Sequence, residues 1–62
     1  MKEQLSKAHH SALFLKDEIR DAHAAAVAAG NQFAEIAIFD LISEAVALEQ
    51  KVKRLLEASE ND

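Results

Sequence analysis

The chain has 62 residues, one glycine, no proline and no cysteine, and eleven acidic against seven basic side chains give it a net charge of −4. That length allows one small domain, and the missing cysteines exclude disulfides and thiolate metal sites, so stability must come from helix packing or a second chain. The acidic balance disfavours nucleic acid, which is usually met by a basic stripe, and favours a basic protein partner.

The N-terminal MKEQLSKAHH has no apolar core of the kind a signal peptide needs. The most apolar stretch, residues 33–48, is interrupted by Glu35, Asp40 and Glu44 and is too short to span a membrane. A cytoplasmic protein is expected.

A first helix is predicted over residues 3–29. Its apolar residues recur at Leu5, Ala8, Ala12, Leu15, Ile19, Ala22, Ala26 and Ala29, in alternating steps of three and four. The lone glycine, Gly30, can take the left-handed conformation that ends a helix, and Asn31 is a good N-cap for the next. A second helix is predicted over 32–58, with a seam at Ala34, Ile38, Leu41, Ala45, Leu48, Val52 and Leu55. Residues 59–62 read as a frayed polar tail.

Each helix should be roughly 40 Å long at ~1.5 Å per residue. A two-residue connection makes antiparallel neighbours. Folding about residue 30 sets Ala22 against Ile38, Leu15 against Ala45 and Ala12 against Leu48. Large residues then mostly face small ones, which fills space without voids. The fold class is all-α, a single antiparallel helical hairpin over residues 1–62.

Beside the seam lies a second apolar stripe. Leu13 and Val27 on the first helix, with Phe39, Ile42 and Val46 on the second, should merge into one broad face, edged by His23. Five such side chains left in water would forgo on the order of 10 kcal/mol, against about 5–15 kcal/mol for a whole domain. A second copy should therefore cover Leu13, His23, Val27, Phe39, Ile42 and Val46, giving a homodimeric four-helix bundle. Phe14, Phe33 and Ile36 fall outside both stripes and are candidate anchors for a partner, with Asp40 and Glu44 as an acidic strip suited to a basic one.

Chemistry is sparse. There is no glycine-rich phosphate loop, nucleophile elbow or zinc signature. No histidine has a carboxylate three or four residues away, so no di-metal motif exists. In the hairpin His9 falls near Glu49 and Lys53, and His23 near Glu35 and Phe39, which can make association pH-sensitive. Glu49–Lys53 and Lys53–Glu57 are spaced as helical ion pairs, and Lys51, Lys53 and Arg54 are placed to meet a helix C-terminus.

No catalysis, cofactor or metal is therefore expected. The function that fits is a small dimeric regulator or inhibitor that docks on another protein, such as a DNA-binding transcriptional regulator. Two alternatives are an RNA-binding bundle that modulates RNA pairing and a purely structural assembly subunit. On the first helix, Lys2, Lys7, Lys16 and Arg20 are interleaved with Glu3, Asp17, Glu18 and Asp21. The length and the hairpin-dimer shape resemble the plasmid-encoded RNA-binding Rop family. The resemblance is one of architecture, without shared motif residues, and it implies the RNA-binding alternative.

Overall fold

In the computed structural model, which describes residues 1–60, two helices lie side by side as a hairpin. Helix α1 spans Lys2–Ala28 and helix α2 spans Gln32–Glu60. The molecule is 49 Å long and 14 by 10 Å across, measured on Cα atoms. Helix α2 runs two residues past its expected end, so Ser59 and Glu60 are helical. The rest of the expected tail, Asn61 and Asp62, lies outside the described residues. This extension also corrects the expectation for Lys51, Lys53 and Arg54. The last turn of α2 carries no base, so these side chains do not meet the C-terminal end of the helix dipole.

The corner is built from three residues. Gly30 has φ +70°, a conformation that costs an L-residue about 1–2 kcal/mol and glycine almost nothing. With Gly30 so placed, its N–H reaches the Val27 carbonyl and the Asn31 N–H reaches the Ala26 carbonyl, both at 3.0 Å. These two bonds satisfy carbonyls that the end of α1 would leave unpaired. Asn31 then starts α2. Its Oδ1 accepts the Ala34 N–H at 3.1 Å, and its carbonyl accepts the Glu35 N–H at 2.9 Å. One residue finishes the first helix with its amide and opens the second with its side chain.

The two helices meet along columns that differ in part from those expected. On α1 the buried and half-buried residues are Leu5, His9, Ala12, Lys16, Ile19, His23 and Ala26, with Leu13 beside them. On α2 they include Ile38, Ile42, Ala45, Glu49, Val52, Leu56 and Ser59. The expected seam members Leu5, Ala12, Ile19, Ala26, Ala34, Ile38, Ala45 and Val52 hold their places. Ala8, Leu15 and Ala22 on α1, and Leu41, Leu48 and Leu55 on α2, do not, and neither does Ala29, which caps α1 one residue beyond its end: all are exposed. Each helix is rotated about its own axis by one heptad column.

The physical reason is that each helix carries three adjacent apolar or mixed columns, and one neighbour can cover only about two. The pair closes on the columns where alanines allow close approach and where opposite charges can meet. Ala12, Ala26 and Ala45 are buried, together with one charged residue, Glu49, at 5% exposure. No large side chain is fully buried among the described residues.

Candidate interaction surfaces

The inner seam has one polar cluster. Glu49 Oε2 accepts a hydrogen bond from His9 Nε2 at 2.8 Å, and Lys16 Nζ lies 3.6 Å from Glu49 Oε1. Both carboxylate oxygens are thus engaged across the hairpin, by residues seven apart on α1. The proximity of His9 to Glu49 is as the fold about residue 30 requires. The expected Glu49–Lys53 pairing gives way, because Glu49 turns inward to two partners on the facing helix. His23 meets Phe39, with ring centroids 5.9 Å apart and planes tilted by 53°.

The His9 hydrogen bond holds the Glu49 carboxyl below the ordinary glutamate value of 4.5; burial opposes this and Lys16 reinforces it. The unfolded chain therefore binds the proton more readily than the native one. The stabilisation from this group is fully present above about pH 4.5 and is lost as pH falls through the lowered native value. Thermal melts of the wild type and Glu49→Gln from pH 7 down to pH 3 should converge as the pH drops below about 4.5. Curves that stay parallel throughout would show that Glu49 contributes nothing to acid sensitivity.

Outside the seam, the hairpin has two flanks of different character. On one, Ala8, Leu15 and Ala22 of α1 run beside Leu41, Leu48 and Leu55 of α2, every pair of neighbours in a column spaced by seven. The four leucines are 46–59% exposed. A shallow groove runs between them, lined by Leu15, Ile19, Leu41, Ala45, Leu48 and, at its edge, Glu44.

The other flank carries the residues expected to form the dimer face. Leu13, His23, Ile42 and Val46 are half-buried within the hairpin, while Val27 and Phe39 remain exposed. Arg20, Glu35 and Lys53 interrupt this side, while Lys16 and Glu49, expected here too, are drawn into the seam. Near the corner it opens into a cleft lined by His23, Glu35, Ile36, Phe39 and Asp40. Sequence reasoning found the residues of this flank but missed the leucine flank, because it had assigned those leucines to the inner seam. Strict seven-residue spacing of Leu41, Leu48 and Leu55 was the available signal.

The five candidate partner residues are all exposed. Phe14 is 67%, Ile36 68% and Phe33 85% accessible. Phe14 lies on the outer side of α1 in a row with Lys7, His10, Glu18 and Asp21. Lys7 is shared with Glu3 at 3.9 Å. Among the described residues no group of three or more histidines or carboxylates is placed to hold a metal ion. No described helix is long and apolar enough to cross a membrane.

No family model, curated protein or solved structure matches the chain. The functional reading therefore rests on the surfaces of the hairpin itself.

Proposed function

We propose that this chain is a small non-enzymatic regulator: a cytoplasmic hairpin that pairs with a second copy into a four-helix bundle and docks on another protein, such as a DNA-binding regulator. The observation that carries the pairing is surface area. The hairpin exposes 4694 Å², whereas a compact monomer of 6.8 kDa exposes about 3,950 Å². The excess, roughly 700 Å², is close to the ~800 Å² that each partner contributes to a standard interface.

The leucine flank is the part to cover, since it is apolar along its length. The two copies should lie with their corners at opposite ends. All seven Lys and Arg residues fall in 2–20 and 51–54, with Lys16 and Arg20 in the middle of α1 and the other five towards the open end, and none falls between Asp21 and Gln50. Opposed corners set each acidic half beside the basic end of the other copy, and parallel ones would set acid beside acid.

Docking on a third molecule is supported by what such a dimer leaves bare. Phe14, Phe33 and Ile36 remain largely accessible, and large apolar side chains held in water are characteristic anchors of an interface. The RNA-binding reading is favoured by one observation, the exposed Phe14 ring with Lys7 in its row, since an aromatic beside a cation is a stacking platform for bases. A photo-crosslinking phenylalanine analogue at position 14 in the source cells separates the two. A specific protein adduct supports the regulator, and an adduct with RNA alone turns the reading to RNA. Labelling no stronger than from the exposed Gln50 removes both. Phe14→Ala should leave the melting curve within about 0.5 kcal/mol of wild type and weaken capture of the bound molecule by roughly tenfold or more, as for an interface anchor.

A further inference from the structure

The cleft at the corner end is separate from the leucine flank. It is lined by His23, Glu35, Ile36, Phe39 and Asp40, on the flank away from the leucines, so pairing through the leucines leaves it open. Its apolar floor is the exposed faces of Ile36 and Phe39, and the Phe39 ring is held by its tilted contact with His23. Its rim is acidic. The thirty residues from Asp21 to Gln50 contain Asp21, Glu35, Asp40, Glu44 and Glu49 and no Lys or Arg. That stretch carries −5; the remaining residues hold seven bases and six acids, or +1, which together give the −4 of the whole chain. Glu49 is neutralised by His9 and Lys16. The nearest base is Arg20, one turn before His23 on α1, and among the described residues it makes no ion pair with Glu35 or Asp40.

We infer that this cleft receives an amphipathic helical segment of the protein partner that presents an apolar side chain to Ile36 and Phe39 and a Lys or Arg to Glu35 and Asp40. The inference rests on the proposed protein-docking function and specifies the chemistry of that partner. An acidic segment or a phosphate backbone is repelled by the same carboxylates. A purely apolar occupant would leave Glu35 beside a covered surface without a counter-charge, which is costly. A basic amphipathic helix matches both the floor and the rim, and its long-range attraction to the acidic half raises the encounter rate.

The test uses the full chain, isotopically labelled, and two synthetic helical peptides of about 15 residues, long enough to hold a helix. One has leucine and lysine on opposite faces; the other has glutamate in place of lysine. The leucine–lysine peptide should shift amide signals around residues 23–40. Its affinity should fall roughly tenfold with Ile36→Ser and severalfold with Asp40→Asn, and should fall again on raising salt from about 50 to about 300 mM. The leucine–glutamate peptide should bind at least roughly tenfold more weakly. Circular dichroism checks that Ile36→Ser, an exposed site, keeps its helix content, and Asp40→Asn provides a variant with no apolar change. Equal binding of both peptides, shifts centred on Leu15, Leu41 and Leu48, or no response at all overturns the inference. Light scattering on the same samples keeps the two readings apart. A dimer that ignores the peptide sinks only this inference, and a monomeric chain sinks the pairing beneath it.

Discussion

Leu48→Glu is expected to convert a particle of twice 6.8 kDa into one of 6.8 kDa and to lower its helix content sharply. In the hairpin Leu48 is half exposed, so the isolated chain loses little by the change. The loss arises at the face between copies. Covering the bare part of each of four leucines gains roughly 1 kcal/mol apiece, on the order of 8 kcal/mol for two chains. A chain of this length is stable by only about 3–9 kcal/mol in all. The substitution also sets two carboxylates into the covered face, at several kcal/mol each. Phe39→Glu is the matched control. It lies on the opposite flank and should keep the larger particle. Light scattering and far-ultraviolet circular dichroism at one chain concentration decide the matter. If Phe39→Glu dissociates the particle and Leu48→Glu does not, the interface lies on the flank first expected from the sequence. A wild type that scatters as 6.8 kDa with full helicity ends both versions.

Ala45→Leu should be the most damaging change that keeps the chain apolar. Ala45 is 6% exposed, and Ala12 on the facing helix is 7% exposed. The helices approach closely because these residues end at Cβ. The three added carbons must either crowd the facing helix and part the axes or turn into the shallow groove beside Leu41 and Leu48, where they disturb the face proposed to pair. Overpacking of this kind costs about 1–3 kcal/mol, and at about 4–8 °C per kcal/mol for a domain of this size the midpoint should drop by roughly 5–20 °C. Melts must be compared at equal chain concentration, since association shifts the midpoint. An unchanged or higher midpoint would mean that the seam has slack, contrary to the burial of its alanines.

Much of the hairpin is legible in the sequence. Gly30 and Asn31 announce the corner by residue type alone, and the bonds they make are the ones their chemistry predicts. The three- and four-residue steps locate both helices and the middle of each apolar stripe. The rotation of each helix is not legible in the same way. Hydrophobic periodicity gives equal weight to every apolar column, and here each helix has more apolar width than a single neighbour can cover. A pattern reading sends leucines inward and glutamate outward. The structure reverses this at Glu49 and Leu48, because Glu49 finds His9 and Lys16 opposite it and is satisfied there. A sequence clue existed, since His9, Lys16 and His23 share one column of α1 and Glu35 and Glu49 share one column of α2. Matched polar columns on two helices that fold together belong together. The candidate surface residues Phe14, Phe33 and Ile36 were legible for the opposite reason: they fit no stripe, and they stay in water.

The shared duty of Asn31 has a practical consequence. Its amide closes one helix and its side chain begins the next, but these tasks use different atoms and need not belong to the same residue. Any non-proline amide can complete the bond to the Ala26 carbonyl, while only the asparagine side chain must stay next to Gln32. Foreign sequence spliced between Gly30 and Asn31 would leave each task with a competent donor or acceptor and would turn neither helix relative to the other. Loop length costs little free energy as it grows, whereas one residue added inside either helix would swing every later column by about 100°. The peptide bond after Gly30 is thus the natural point for a tag, a probe or a second domain.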